Sequence, residues 1–305
     1  MALGAPLHGH QGVVSALAFS PDGRVLATGS GEDSSIRLWD ATDPTRPAPL
    51  GAPLPAKTQY TSPVAFSPDG HTLVTAATDE SLRLWDLHDP AHPLPLGPVL
   101  TGPTGYLNTV GFSPDGQLLT AASSDGRLWL WDTHDPAHPS LLTSQSPNAG
   151  ELLAAAFSPD GRTLAAAGND GAVRLWDLTT PRTPTPAATL TGPAAPVHAL
   201  AFDRTGQQLS AGSGDAQAWV WTLPPPGSDP PAPWALAGHS GTIRSVAFSP
   251  TSTLLATGSE DDTVRLWDFS LSDAASRICT ATGASLSNPA AWRRALPDLP
   301  YAPPC

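Results

Sequence analysis

The chain has 305 residues, with 36 prolines, 27 glycines, 14% charged residues and a formal net charge of −12 at pH 7. This composition favours many short strands joined by tight turns over long helices, and the acidic charge excludes the basic surface typical of nucleic-acid-binding proteins. No hydrophobic run is long enough to span a bilayer, and the first residues lack the charged and apolar regions of a signal peptide. We therefore expect a cytoplasmic protein that binds neither nucleic acid nor membranes.

The first predicted element is a strand over residues 3–7, whose sequence LGAPL returns unchanged at residues 50–54. After it, one pattern repeats along the chain with a spacing of 45 or 46 residues. Each copy ends on a tryptophan, which an aspartate follows in every copy except the fifth; these tryptophans are Trp39, Trp85, Trp131, Trp176, Trp221 and Trp267. The motif FSPDG keeps the same period, intact at 19–23, 66–70, 112–116 and 157–161 and altered at 202–206 and 248–252.

Each copy contains three short segments rich in aliphatic and β-branched residues, such as VSALAF, TLLATGS and TVRLWD, which predict three strands. The SPDG sequence favours a type I turn between the first two strands, because proline presets φ and glycine tolerates positive φ. The segments between copies, PAPLGAPL at 47–54 and PLPLGPVL at 93–100, predict a fourth strand.

This pattern resembles the WD-repeat β-propeller family over residues 3–268, including the GH motif at Gly9-His10 and Gly238-His239. The resemblance implies an all-β fold, a six-bladed propeller of four-stranded antiparallel blades over residues 1–270. The strand over residues 3–7 would close the ring by pairing with the last unit, residues 242–268, which has three inner strands and no outer one. Two alternatives stay open, since seven blades are commonest in this family and the chain could be the C-terminal part of a longer array.

The linkers and the C-terminal segment are similar to those of actinobacterial WD-repeat proteins with a cysteine-containing tail, many of which carry a signalling domain before the repeats. Residues 271–305 predict a short helical extension, with capping residues at Ser272 or Asp273 and again at Ser287 or Asn288. Trp292 is the expected anchor of this tail onto the propeller. The two cysteines, Cys279 and Cys305, both lie in the tail, and we expect free thiols.

In the family, each blade contains a hydrogen-bonded network that joins the GH histidine, a Ser or Thr of the second strand, an Asp six residues before the terminal Trp, and that Trp. Physically, this network satisfies a buried indole N–H and a costly carboxylate. Only the first and sixth repeats can complete it, with His10, Thr28, Asp33 and Trp39, and with His239, Thr257, Asp261 and Trp267. The other repeats keep the Asp–Trp pairs Asp79 and Trp85, Asp125 and Trp131, Asp170 and Trp176, and Asp215 and Trp221. Their GH positions hold Lys57, Pro103, Asn148 and Pro193, so we expect these blades to be less stiff or to use water.

No motif of a hydrolase, a metalloprotease or a nucleotide-binding enzyme is present, so we expect no enzyme activity and no cofactor. The segment HDPAHP at 88–93 and 134–139 offers paired histidines, but its prolines forbid the helical turn that would let both bind one metal. The face that carries the SPDG turns is expected to be acidic, with its aspartates capping turns.

The opposite face, at the mouth of the central channel, is where the family usually binds partners. Three positions per repeat are expected there: six and four residues before the Phe of the FSPDG segment, and the residue before the turn Asp. The residues at these positions that we predict to contact a partner are Glu32, Tyr60, Tyr106, Asn108, His198, Arg244 and Glu260. The sequence thus predicts a monomeric, non-catalytic platform for a protein or peptide. The alternatives are the C-terminal sensor part of a longer signalling protein and a propeller hydrolase that uses channel-mouth Asp, Glu and His.

Overall fold

The computed structural model describes residues 6–30, 32–55, 63–76, 79–223 and 232–269, and every regular element among them is a β-strand. The strands of the first three sheets are β1 (Val14–Phe19), β2 (Val25–Ser30), β3 (Ser35–Asp40), β4 (Ala48–Pro55), β5 (Val64–Phe66), β6 (Thr72–Ala76), β7 (Leu82–Asp86), β8 (Leu94–Leu100), β9 (Leu107–Phe112), β10 (Leu118–Ser123), β11 (Leu128–Asp132) and β12 (Ser140–Gln145). Those of the last three are β13 (Leu152–Phe157), β14 (Thr163–Gly168), β15 (Val173–Asp177), β16 (Thr185–Leu190), β17 (Val197–Phe202), β18 (Gln208–Ser213), β19 (Gln217–Thr222), β20 (Trp234–Ala237), β21 (Ile243–Phe248), β22 (Leu254–Ser259) and β23 (Val264–Asp268).

Each run of four consecutive strands forms one antiparallel sheet, here called a blade and numbered 1 to 6 along the chain. Blade 6 has three strands, β21 to β23, within the described residues. The predicted all-β architecture of four-stranded antiparallel units is confirmed. The fourth strands predicted at 47–54 and 93–100 are β4 (Ala48–Pro55) and β8 (Leu94–Leu100).

The SPDG sequence builds the turn between β1 and β2 as predicted. The Ser20 hydroxyl donates to Asp22 at 2.6 Å and accepts from the Val25 amide at 2.9 Å, and the Asp22 carboxylate accepts from the Arg24 amide at 3.0 Å. Gly23 has a φ of +71°, which glycine adopts without strain. The turn is therefore held by its own side chains and needs no neighbouring element.

The apolar core lies between blades rather than within one sheet. Between blades 1 and 2, Ile36 and Leu38 pack against Leu73 and Trp85, and similar clusters join blades 2 to 5 in sequence. The first strands of consecutive blades contact one another from β1 to β21. These first strands therefore form the inner wall of the array, and the fourth strands lie outside.

Closure of the array into a ring stays a prediction. Residues 1–5 lie outside the described part of the chain, and residues 6 and 7 carry no strand assignment. At the two ends of the array, Leu17 and Phe19 of blade 1 and Val264 and Leu266 of blade 6 are exposed. The described residues thus do not show blade 6 packed on blade 1.

The predicted helical extension, with Trp292, Cys279 and Cys305, also lies outside the described residues. No helix in the described part of the chain has the length and hydropathy needed to cross a membrane.

Candidate functional site at the blade ends

Within the described residues, a β-bulge interrupts the pairing of the first and second strands in blades 1, 3, 4, 5 and 6. The bulges place one extra residue near the start of the first strand, at Ser15, Asn108, Leu153, His198 and Arg244. A bulge bends its strand and redirects the bulged side chain, and bulges are frequent beside functional sites. Because the first strands form the inner wall, the redirected side chains follow one another around that wall.

The bulge residues of blades 5 and 6 touch across the blade boundary. The Arg244 guanidinium donates from Nη1 to His198 Nδ1 at 3.0 Å, and from Nε and Nη2 to Glu260 Oε1 at 2.9 and 2.6 Å. Glu260 lies in the turn between β22 and β23, at the same end of the blade. Three of the predicted partner-binding residues therefore form one cluster, although they are far apart in sequence.

The protonation states in this cluster follow from its hydrogen bonds. Burial lowers the pKa of His198 below its ordinary value of 6.5, and the positive charge of Arg244 lowers it further, although Glu260 and Glu151 act in the opposite direction. An arginine can only donate, so His198 Nδ1 accepts and Nε2 carries the proton. Hydrogen bonds from Arg244 and Thr242 hold the pKa of Glu260 below its ordinary value. At neutral pH the cluster presents a cation, an anion and a neutral N–H donor in fixed positions.

A second set of contacts, three hydrogen bonds, joins blades 3 and 4. The Asn108 amide donates to Glu151 Oε1 at 3.1 Å and to the Leu152 carbonyl at 2.8 Å, and the Thr109 hydroxyl donates to the Leu153 carbonyl at 2.8 Å. Glu151 was among the expected mouth positions but not among the residues predicted to contact a partner. The negative charge of Glu151 acts to raise the pKa of His198, but it is the weakest of the influences on that ring, and burial and Arg244 outweigh it.

The remaining predicted contact residues are placed less closely together. Tyr106 precedes β9, is 46% exposed, and its carbonyl accepts from the Ser124 amide at 2.9 Å. Glu32 is exposed, and its side chain lies directly over Gly12. Tyr60 lies outside the described residues.

The complete network implied by the resemblance is assembled in blade 1. His10 pairs with Asp33 Oδ2 at 2.8 Å and with the Thr28 hydroxyl at 2.8 Å, and Trp39 Nε1 donates to that hydroxyl at 2.8 Å. An indole N–H can only donate and a carboxylate can only accept. With a neutral His10 protonated on Nδ1, Trp39 donates to the Thr28 hydroxyl, this hydroxyl donates to His10 Nε2, and His10 Nδ1 donates to Asp33.

Blade 6 repeats this arrangement. His239 pairs with Asp261 Oδ2 at 2.9 Å and with Thr257 Oγ1 at 2.7 Å, and Trp267 Nε1 donates to Thr257 at 3.0 Å.

Two of the four blades that lack the histidine use a second tryptophan instead. Trp129 Nε1 donates to Asp125 Oδ2 at 3.3 Å in blade 3, and Trp219 Nε1 donates to Asp215 Oδ2 at 3.1 Å in blade 5. Both indoles are tightly packed, since a Cβ added at Gly102 would lie 2.7 Å from the Trp129 ring and one added at Gly192 would lie 2.7 Å from the Trp219 ring. The expectation that these blades are less stiff or use water did not include this role of a second tryptophan, and it stays a prediction. The signal was in the sequence, because both tryptophans stand two residues before the terminal Trp, where other repeats have arginine.

Blades 2 and 4 use other partners. The Trp85 indole still donates to Thr75 Oγ1 at 3.0 Å, and the Ser81 hydroxyl donates to Asp79. In blade 4, Arg174 makes a two-pronged ion pair with Asp170, at 3.2 and 2.6 Å. Three tryptophans of the predicted set remain. Trp131 and Trp176 are buried in the clusters between blades, and Trp221 donates to the Thr191 carbonyl at 3.1 Å.

On the opposite face, the SPDG aspartates all accept from the serine two residues earlier, as Asp22 does from Ser20. In the HDPAHP segments, His92 pairs with Asp89 and His138 with Asp135, each at 2.8 Å. Each histidine thus bonds within its own loop, and the described residues contain no group of three or more His, Cys, Asp or Glu side chains that could hold a metal ion.

The chain forms six sheets of one repeated type, and the bulge residues lie near the start of the first strand of their sheets. This arrangement defines a β-repeat protein whose candidate binding surface lies at that end of the blades. The chain belongs to the WD-repeat family: the family model "WD domain, G-beta repeat" matches residues 3–40, 64–86, 96–132, 140–177, 184–222 and 233–268. Similar curated proteins include the nuclear distribution protein PAC1 of Cryptococcus neoformans, 50% identical over 44 residues, and that of Tuber melanosporum, 44% identical over 43 residues. Each of these matches covers 14% of this chain and 10% of the relative.

Proposed function

We propose that this protein is a non-catalytic platform that binds a protein or peptide partner at the blade ends where the bulge residues lie. The observation that carries the proposal is the cluster of His198, Arg244 and Glu260, which joins two blades and is preorganised by its own hydrogen bonds. WD-repeat proteins generally mediate interactions between proteins, which supports the same function.

The physical advantage of such a platform is low ordering cost. Long side chains lose about 0.5–1.5 kcal/mol of conformational freedom each when a partner immobilises them. Arg244 is already held by two neighbours while its side chain stays 54% exposed. A partner would therefore meet a guanidinium whose position is largely set, and such arginines are frequent energetic centres of interfaces.

The non-catalytic part of the proposal rests on the roles that the polar side chains already have. The turn aspartates bond to hydroxyls and amides of their own turns, and the histidines of blades 1 and 6 bond to Asp and Thr. The cytoplasmic location, the monomeric state, the exclusion of nucleic acid, the actinobacterial relationship and a role as the sensor part of a longer signalling protein all stay predictions.

The test compares the wild type with a double variant, Arg244→Glu with Tyr106→Ala, as baits in lysate, followed by calorimetry on each captured partner. The matched control is Arg24→Glu, which reverses an arginine that is 73% exposed beside the SPDG turn at the other end of the blade. We expect the double variant to lose about 2 kcal/mol of binding free energy, roughly 30-fold in affinity, while the control binds normally. Equal binding by the double variant and the wild type would contradict the proposed site.

A further inference from the structure

A groove, here called the blade 1–2 groove, lies between blades 1 and 2 at the end of the blades that carries the SPDG turns. It is lined by the two turns, by the segments that follow β3 and β7, and by part of β4. Its volume is about 680 Å³, against about 220 Å³ between blades 2 and 3 and about 310 Å³ between blades 5 and 6. Ligand pockets usually enclose about 300–1,000 Å³, so the blade 1–2 groove has the size of a binding site.

Contacts between the two blades fix the shape of the groove. On its inner side the two SPDG turns pack together, since a Cβ added at Gly70 would lie 3.5 Å from the Pro21 ring. On its outer side the Ala91 carbonyl packs directly on Gly51 of β4, which has a φ of +64°. The groove is therefore bounded by packed residues on both sides.

The floor of the groove is apolar. Leu87 is 4% exposed, and the partly buried Val25 and Leu50 pack against the cluster that contains it. An aliphatic chain that lies on this floor removes apolar surface from water, which is favourable.

The rim of the groove carries carboxylates that stay ionised at neutral pH. Hydrogen bonds from the Thr42 hydroxyl and amide lower the pKa of Asp40. Burial acts to raise the pKa of Asp69, but hydrogen bonds from Ser67 and from the His71 amide outweigh it, and the pKa is lowered. All these bonds reach Oδ1, which leaves Oδ2 of both carboxylates to accept from a ligand.

The charges around the groove favour a cation. Within the described residues, Arg24 is the only arginine or lysine in the lining, and its Nε lies 3.8 Å from Asp22 Oδ2. Asp22 thus offsets this cation, and the described lining holds no second one for Asp40 and Asp69. An apolar floor with a negative rim matches a side chain that carries a positive charge at the end of an aliphatic stem.

A pair of stacked histidines selects among cations. The rings of His71 and His88 have centroids 4.4 Å apart and planes that differ by 2°. Asp86 holds His88 through Nδ1 at 2.6 Å, and 73% of the His88 side chain stays exposed. A guanidinium is planar, stacks on aromatic rings and bonds a carboxylate through two N–H groups, whereas a lysine ammonium is a compact point charge. The stack therefore favours arginine over lysine.

The stacked pair is specific to this boundary. It needs histidine both directly after the SPDG segment and three residues after the terminal Trp of the same repeat. The corresponding residues of the other repeats are Arg24 and Thr42, Gln117 and His134, Arg162 and Thr179, Gln207 and Pro224, and Thr253 and Ser270. The other five repeats thus lack the pair in their sequences, although they share the fold around it.

We infer that the blade 1–2 groove is a second docking site, which takes an arginine side chain of a peptide or protein partner. The aliphatic stem lies on Leu50 and Leu87, the guanidinium pairs with Asp40 and Asp69, and its plane stacks on the histidine pair. This site lies at the opposite end of the blades from the cluster around Arg244 and does not depend on it.

The test titrates the full chain with the peptide acetyl-Gly-Leu-Arg-Leu-Gly-amide and follows the backbone amide signals by NMR. The matched control peptide carries citrulline in place of arginine, which keeps the shape and removes the charge. We expect the arginine peptide to bind about fivefold more tightly than the citrulline peptide, with the largest shifts at His71 and Thr42. A lysine peptide should bind more weakly than the arginine peptide, and equal binding would contradict the stacking on the histidine pair.

Two variants with opposite effects locate the site. Asp40→Asn with Asp69→Asn removes both rim charges and keeps the Oδ1 acceptors, so the affinity for the arginine peptide should fall to that for the citrulline peptide. Arg24→Gln removes the competing cation, whose side chain is 73% exposed, and should strengthen binding about twofold. The matched control is Asp132→Asn with Asp160→Asn, the corresponding pair between blades 3 and 4, which should bind as the wild type does.

Three results would overturn the inference. If the arginine and citrulline peptides bind equally, the groove does not recognise a cation. Equal losses from the two pairs of Asn substitutions would assign the binding to the general acidity of the chain. Weaker or unchanged binding by Arg24→Gln would also contradict the site, and this variant tests the groove even if the Asn pair does not fold.

These results are separable from those at the blade ends. Arg244→Glu with Tyr106→Ala leaves the groove intact and should bind the arginine peptide normally. Arg24→Glu, the control for the blade-end site, makes the groove more acidic, so it does not weaken a partner there. Either site can therefore fail its test without the other.

Discussion

Replacing Thr28 by valine tests whether the network of blade 1 stabilises the fold. The hydroxyl bonds to His10 and to Trp39, and both of these side chains are nearly inaccessible to solvent. Valine keeps the shape but leaves a buried ring nitrogen and a buried indole N–H without partners. Since each unsatisfied buried group costs about 1–3 kcal/mol, we expect the free energy of unfolding to fall by about 2–4 kcal/mol. Stabilities of natural domains are about 5–15 kcal/mol, so the loss is a large fraction.

The matched control is Thr75→Val in blade 2, where the Trp85 indole donates to the hydroxyl and no GH histidine is present. We expect a loss of about 1–2 kcal/mol there, because one buried donor is left unpaired. Urea unfolding followed by tryptophan fluorescence measures the free energy of unfolding of both variants. An unchanged dependence of this free energy on urea concentration would show that stability alone has changed. If Thr28→Val unfolds within about 0.5 kcal/mol of the wild type, or no more easily than Thr75→Val, the network does not have the stabilising role argued for it.

Three further predictions concern packing and pH. Gly102→Ala should cost about 1–3 kcal/mol in thermal unfolding, because the added Cβ would lie 2.7 Å from Trp129, whereas Gly111→Ala has open space around it and should be nearly neutral. Burial and the adjacent arginine lower the folded-state pKa of His198 below 6.5, so the unfolded chain takes up the proton first and the free energy of unfolding falls as pH drops below about 6.5. His198→Asn should remove this pH dependence, which urea titrations at about pH 7.5 and about pH 5 measure. Hydrogen bonds from Thr263 and from the Ser240 amide lower the pKa of Asp261, so the ionised carboxylate stabilises the fold above its ordinary pKa of 3.8, and this stabilisation is lost as pH falls further. Asp261→Asn should have a lower free energy of unfolding at neutral pH and a weaker dependence of that free energy on pH in acid. An unchanged dependence on acid pH would contradict this.

The blades were predictable because the same local signals recur in each repeat. The apolar segment VSALAF is β1, and TVRLWD contains β23, Val264–Asp268. Each SPDG turn closes on its own serine and aspartate, so a few neighbouring residues determine it. Local rules of this kind can be read from a single sequence.

The contacts within the candidate site were not predictable in the same way. The positions of His198 and Arg244 near one end of the blades followed from the repeat, but their hydrogen bond depends on a bulge in each strand and on the packing of blade 5 against blade 6. No residue pattern in either strand indicates the bulge, since the bulged position holds Ser, Asn, Leu, His or Arg. Long-range geometry determines which of these side chains meet.

That variety has a physical reason. A bulged residue is left out of the pairing between its strand and the next, so its side chain does not have to fill the core between blades. The core positions repeat as Leu, Ile, Val or Ala because each must fit the following blade, as Ile36 and Leu84 do. The bulged position can therefore change its chemistry from blade to blade without loss of packing. The same backbone irregularity that interrupts the sheet thus separates the residues that hold the fold from those that can recognise a partner.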